Sequence, residues 1–233
     1  MKNRYSAATA AISACMFLYG CGGGGSDYGS TVTPVTSFAL QAGYKARVSA
    51  GATDNFSVSG TCSGSATVTT SAANNAAFEG VAGYSATSTQ TLNLTNCTPA
   101  SSAVTSTVYY DLNYAPIGIS TPGVDYEKFL TGPLAIPATV KVGDTAALST
   151  LTVYSDSTKA TVTGQRLLSY VIEADTATTA IANLISKAYN TSSQLLVTEQ
   201  SRYRIAADGT LSVISIDVQE STTGTTHLLY TKI

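Results

Sequence analysis

From residue 38 the apolar side chains fall on every second position. Phe38, Leu40, Ala42, Tyr44, Ala46 and Val48 alternate with Gln41, Lys45, Arg47 and Ser49. A period of two marks a strand with one buried face, so the first folded segment, beginning near Thr36, reads as a strand. A turn comes next over 51–55. Phe56 and Val58 keep the same parity through Gly60 to Cys62, which should therefore point inward; Ala66 and Val68 form another short strand, and Leu92 and Leu94 share a face of the next. Val104, Val108, Tyr110, Leu112 and Tyr114 alternate with Thr107, Tyr109, Asp111 and Asn113. Short strands at this spacing predict a small antiparallel β-sandwich over residues 36–115.

The pattern breaks between 116 and 141, where Pro116, Pro122, Pro133 and Pro137 gather with Gly118, Gly123 and Gly132. Such a stretch reads as a linker between domains, or as a crossing strap that uses the apolar Phe129, Leu130, Leu134 and Ile136. Asp125 and Glu127 share strand parity and so could chelate a cation, but a solvated loop face is the expected setting.

Residues 142–233 read as an up-and-down antiparallel meander, which a curved half-barrel would also satisfy. Segments 148–154 and 160–175 flank the polar turn 155–159, as in a hairpin. Leu195, Val197, Tyr203 and Ile205 take one face of a strand, with Gln200, Arg202 and Arg204 on the other. Asp208-Gly209 turns into 211–218, where the apolar parity switches between Val213 and Ile214 and predicts a bulge. Residues 178–189 fit a helix by Ile181, Leu184, Ile185 and Ala188, and a strand by Ile181, Ile185 and Tyr189. The β-branched and polar composition favours the strand. Residues 226–232 close the sheet. The expected fold is all-β, a sandwich followed by a meander.

At the other end of the chain, Lys2 and Arg4 precede an uncharged stretch over 5–20, the charged and apolar parts of an export leader. The stretch is too short and too rich in small polar residues to span a bilayer. Leu18-Tyr19-Gly20-Cys21 and the glycines at 22–25 then resemble the lipobox and tether of bacterial lipoproteins, and the mature chain is similar to small Gram-negative envelope lipoproteins without assigned activity. The resemblance implies cleavage after residue 20, lipidation of Cys21, attachment to the membrane through that lipid, and sorting to the outer membrane because Gly22 follows the cysteine. Several acyl chains would hold the protein firmly, at about 0.8 kcal/mol per buried methylene. Residues 21–35 become a tether. Cys15 then leaves with the leader and Cys21 carries lipid, so Cys62 and Cys97 remain as a pair that an oxidising periplasm would bridge.

Charge narrows the partners. Once Lys2 and Arg4 are gone, ten basic residues face fourteen acidic ones, with no basic run; the footprint for nucleic acid is missing. His227 is the one histidine, in a terminal strand, which leaves no constellation for nucleophilic, zinc or phosphate chemistry and no cofactor motif. Gly60-Thr61-Cys62-Ser63-Gly64 has the outline of a nucleophile elbow, but no helix-forming sequence comes after it, so it reads as a strand end and turn. Glu173 and Asp175 share a strand face where solvation is the expected role. An exposed Tyr109, Asp111 and Asn113 face would suit a glycan or protein contact. The expected function is therefore a non-enzymatic structural or binding module of the envelope that contacts another envelope protein. The alternative is a carrier whose apolar ligand lies on a face built from Leu167, Val171, Leu195 and Val197.

Overall fold

The computed structural model describes residues 33–130, 136–221 and 226–233. The leader, Cys21, the tether up to residue 32, and Gly132, Pro133 and Leu134 lie outside the described residues. Helix α1 (Leu40–Ala50) precedes thirteen strands. These are β1 (Ala52–Gly60), β2 (Ser63–Thr70), β3 (Asn74–Phe78), β4 (Val81–Thr95), β5 (Ser101–Tyr110), β6 (Pro116–Thr121) and β7 (Asp125–Phe129). The remainder are β8 (Thr145–Tyr154), β9 (Val162–Ala174), β10 (Thr179–Asn190), β11 (Leu195–Ala206), β12 (Leu211–Glu220) and β13 (Thr226–Lys232).

All-β is the fold class observed, but the predicted sandwich and separate meander are replaced by one antiparallel sheet. Consecutive strands pair from β4 through to β13; β13 returns to β1, β1 pairs with β2, and β2 pairs with β4, which closes a twelve-strand barrel. Phe56 lies opposite Lys232 and Ala66 opposite Leu92 at the two closing ladders. The linker expected over 116–141 is corrected as well, since β6 and β7 are barrel strands laddered to β5 and β8. Two of its prolines sit where a missing N–H costs no ladder bond: Pro116 begins β6 and Pro122 lies in the turn before β7.

The strand expected from residue 38 is instead α1. Leu40, Gly43, Arg47 and Val48 are its buried positions, a spacing of three, seven and eight rather than two. Alanine at positions 42 and 46 imitates alternation, while the segment holds good helix formers and no β-branched residue before Val48. The helix lies across one mouth of the barrel. Gly43 rests on the β11–β12 turn so closely that a Cβ there would come within 1.7 Å of the Gly209 carbonyl oxygen. Val48 accepts the Ala73 N–H beyond β2, and Lys45 lies over the Tyr114 ring in the β5–β6 turn. Arg47, almost wholly buried, reaches down to Asp54 of β1 at 3.3 Å, and Lys232 of β13 holds the other oxygen of Asp54 at 2.5 Å. Just before the helix, Phe38 and Val140 exchange both backbone hydrogen bonds.

Apolar side chains fill much of the interior, and one sector of the outer wall is hydroxylated. Phe56, Val58, Val68, Leu151, Ile172, Ile205 and Ile216 face the interior and are buried. The outer faces of β1, β2, β4 and β5 carry threonine pairs across strands, Thr53 with Thr69, Thr87 with Thr107 and Thr89 with Thr105, at 3.0 to 3.3 Å. A barrel embedded in lipid shows the reverse polarity, an apolar outer band around a polar lumen.

The tip of the β3–β4 hairpin folds onto the outer wall. Phe78 stacks on Tyr109 and Tyr126 and sits against Gly118, where a Cβ would lie 2.0 Å from its ring. Glu79 beside it accepts from Tyr126, Lys128 and Lys159. Those cations, Lys128 first, hold its carboxyl down at about 2. Tyr109 is thereby used in packing, and Asp111 caps its own turn through the N–H groups of Asn113 and Ala115.

Several finer expectations hold. Residues 179–190 form a strand, the β11–β12 register shifts opposite Ile214, and Gly209 turns at φ 90°. Cys62 and Cys97 are disulfide-bonded at the mouth opposite α1, with Cα atoms 5.8 Å apart. Closing a loop of 35 residues constrains the unfolded chain by roughly 4 kcal/mol. The double variant Cys62→Ala/Cys97→Ala should accordingly lose about 3–4 kcal/mol in urea unfolding at 25 °C while keeping its far-UV spectrum.

Candidate functional site

Beneath α1 the interior is only partly filled. Leu40 and Tyr44 from the helix, Ile119, Phe129, Leu168, Ala182, Leu184 and Tyr203 from the strands, and Ile136 and Pro137 from the β7–β8 loop enclose a cavity of about 100 Å³. Its walls are almost entirely carbon. Ser186 and Glu199 line the side away from α1, opposite one another on β10 and β11.

Behind that floor lies an ionic cluster. Arg166 of β9 donates from Nε to both carboxylate oxygens of Glu127 of β7, at 3.0 and 2.9 Å, and from Nη2 to Oε1 at 2.7 Å. Its Nη1 reaches the Ser186 hydroxyl at 3.1 Å. Each of the three guanidinium nitrogens thus has a partner, Nε and Nη2 on a buried carboxylate and Nη1 on a serine. Burial opposes the Arg166 charge, and Glu127 outweighs that and raises its pKa.

Two further carboxyls share the interior without a cation of their own. Glu199 is 4% exposed, and its Oε1 accepts the Ser201 hydroxyl at 3.1 Å. Burial pushes it up to about 7 against the pull of Arg166 and Ser201, with Glu127 adding to the rise. Asp125 has a buried Oδ1 with no hydrogen-bond partner, and burial, reinforced by Glu127, lifts it to about 6. Uncompensated charge in a low-dielectric interior is costly, so such groups tend to keep a proton.

Hydroxyls continue the polar layer round the inner wall. Thr70 donates to Ser88 at 3.2 Å, Ser106 and Thr121 are 2.9 Å apart, and Gln90 donates across the lumen to the Tyr230 hydroxyl at 3.3 Å. Among the described residues no three His, Cys, Asp or Glu side chains are grouped to hold a metal ion.

The residues singled out by the sequence fall elsewhere. Cys21 lies outside the described residues. Leu167 and Val171 face outward on β9, opposite in parity to the inward Arg166, Leu168, Tyr170 and Ile172. Val197 is packed against the core, and the bulge opposite Ala188 and Tyr189 pairs Leu195 with Tyr189 instead. The four therefore do not form a common face. His227 stands on the outer wall, 46% exposed and 3.2 Å from Asp217. The carboxylates of Glu173 and Asp175 meet Arg202 and Arg204 outside the barrel.

The expected solvated setting of Asp125 and Glu127 is overturned, since both project into the lumen beside Phe129. A usable signal was present. The face holding Val197, Tyr203 and Ile205 also holds Glu199, and the face holding Leu168, Tyr170 and Ile172 also holds Arg166. A charge on the apolar side of an alternating strand is the mark of a buried ionic group.

A carboxyl whose folded pKa exceeds its unfolded value binds protons more tightly in the native state, so its contribution to stability is full below about pH 4.5 and is lost as pH rises through 7. Stability should fall across that window. Glu199→Gln should flatten the fall and leave the variant about 2–3 kcal/mol more stable than the parent at pH 8, measured by urea unfolding from pH 4 to 8. Glu127→Ala strands the Arg166 guanidinium and should cost about 3–5 kcal/mol at pH 7 in the same assay.

Comparison with family models, with curated protein sequences and with solved structures returns no match to this chain.

Proposed function

We propose that this chain is a lipid-anchored protein of the bacterial outer membrane that holds one small apolar molecule inside its barrel, as a binding module rather than an enzyme. The observation that carries this reading is the carbon-walled cavity under α1, floored by a carboxyl and a hydroxyl. Ligand sites have this make-up, apolar walls with a few polar groups that set orientation. At about 100 Å³ the space suits a single ring or a short alkyl chain and not a whole phospholipid. The apolar carrier foreseen from the sequence thus becomes a smaller site on a different set of residues, inside the wall instead of along an open sheet.

The anchor rests on Lys2, Arg4 and Leu18-Tyr19-Gly20-Cys21. The hydroxylated outer wall supports an attached body that stands in water. Non-enzymatic binding is supported by the position of His227 and Asp217 on the outer surface, away from the cavity, and by the pairing of Arg166 with Glu127.

Toluene should bind the full chain and raise its melting temperature, and Leu184→Phe, which fills the cavity, should abolish the shift while the barrel stays folded. An unaltered melting temperature with toluene and other single-ring hydrocarbons would remove the reading. Labelled palmitate should enter the protein in a Gram-negative host and fail to enter Cys21→Ser; label that persists in the variant would remove the anchor.

A further inference from the structure

Granted that the cavity holds an apolar guest, the premise on which this inference depends, the charges at its floor decide what kind of apolar molecule belongs there. Arg166 directs Nε and Nη2 to Glu127 and Nη1 to Ser186, so its charge is already matched by one carboxylate. Glu199 is left over. It is nine-tenths buried, lines the cavity, and takes one hydrogen bond, to Oε1, from Ser201; among the described residues no donor meets Oε2. The groups acting on it are Arg166 from β9, Ser201 on its own strand and Glu127 from β7, with Ser186 of β10 directly opposite and Tyr230 of β13 within its field. Carboxyls outnumber cations in that company. The interior is short of positive charge where Glu199 meets the carbon-lined space.

A buried carboxyl in this position has two ways to avoid a naked charge: it holds a proton, or it pairs with a cation that enters from the cavity. An anionic guest would meet the Glu199 carboxyl with Glu127 behind it, and a neutral hydrocarbon would leave Oε2 without a donor. We propose that the molecule taken by this cavity is an organic ammonium ion, an apolar body of one ring or a short chain whose protonated amine donates to Glu199. The exchange is balanced. The carboxylic acid of Glu199 loses its proton to solvent, the ammonium keeps all of its own, and the net charge inside rises by nothing as one cation replaces another.

Glu199 is held at about 7, so its ionised share grows roughly tenfold between pH 6 and pH 8, and the affinity for an ammonium should grow with it. Toluene, benzylamine and benzoate are matched probes, to be titrated calorimetrically into the full chain at both pH values. Benzylamine should bind more tightly than toluene at pH 8, weaken about tenfold at pH 6, and release about one proton per molecule bound at pH 6, seen as a dependence of heat on buffer ionisation enthalpy. Toluene should bind equally at both. Glu199→Gln, nearly isosteric, should lose the preference for benzylamine and the proton release while still binding toluene, and Leu184→Phe should lose both probes. Toluene binding with no advantage for benzylamine, an advantage that survives in Glu199→Gln, or benzoate as the tightest probe would each overturn the ammonium proposal and leave the apolar site standing. Failure of toluene and benzylamine alike would remove the site itself.

Discussion

Closure of twelve strands into one ring fixes almost everything else about this molecule. A barrel of eight strands is just wide enough for its own side chains to fill, and each added pair of strands widens the lumen. Twelve therefore demand additional filling. The chain supplies it with α1 across one mouth, with the large inward rings of Phe56, Phe129, Tyr170, Tyr203 and Tyr230, and with a layer of polar groups that bond to one another. The cavity is what remains unfilled. Closure also disposes of sheet edges along the ring, leaving β3 as the strand with a free side, and its hairpin is pinned to the outer wall by Phe78 and Glu79.

Buried charge is distributed unevenly between the mouth and the floor of the cavity. Near the mouth, Asp54 is shared by Arg47 and Lys232, two cations for one carboxylate; burial still raises it, and the two partners pull it back. At the floor the ratio is inverted, with Arg166 bound to Glu127 while Glu199 and Asp125 go uncompensated. The first cluster locks the plug to the wall through opposite charges with few alternatives. The second is a poor choice for stability alone, since apolar residues of similar size would cost less.

Strand identities were legible in the sequence wherever apolar residues alternated with polar ones, as in residues 56–60 and 195–205. The turn expected over 51–55 is corrected to the start of β1, whose Asp54 faces inward to Arg47. Closure was not legible, because it depends on β13 returning to β1, a pairing across some 170 residues that no local pattern records. Pro116 and Pro122 misled for the same reason, since their tolerance came from their positions at a strand start and a turn rather than from freedom of the chain. At α1 the deception was chemical: alanine counts as apolar in any alternation yet buries little, and Arg47, which looked like a surface residue, is among the most buried. The floor of the site was half visible. Parity placed Glu199 and Arg166 among apolar neighbours, but only the folded ring brings β7, β9 and β11 to one depth, and so only there do Glu127, Arg166 and Glu199 become one cluster.

The plug is continuous with the segment that leads into it: the Phe38 and Val140 bridge, the Val35 bond to Ala177, and α1 all belong to the stretch of chain that precedes the first strand. A pull applied ahead of residue 33 therefore meets the Val35 bond and the Phe38 and Val140 bridge before it reaches α1. Those two clamps shield the stopper from traction on the chain that precedes it.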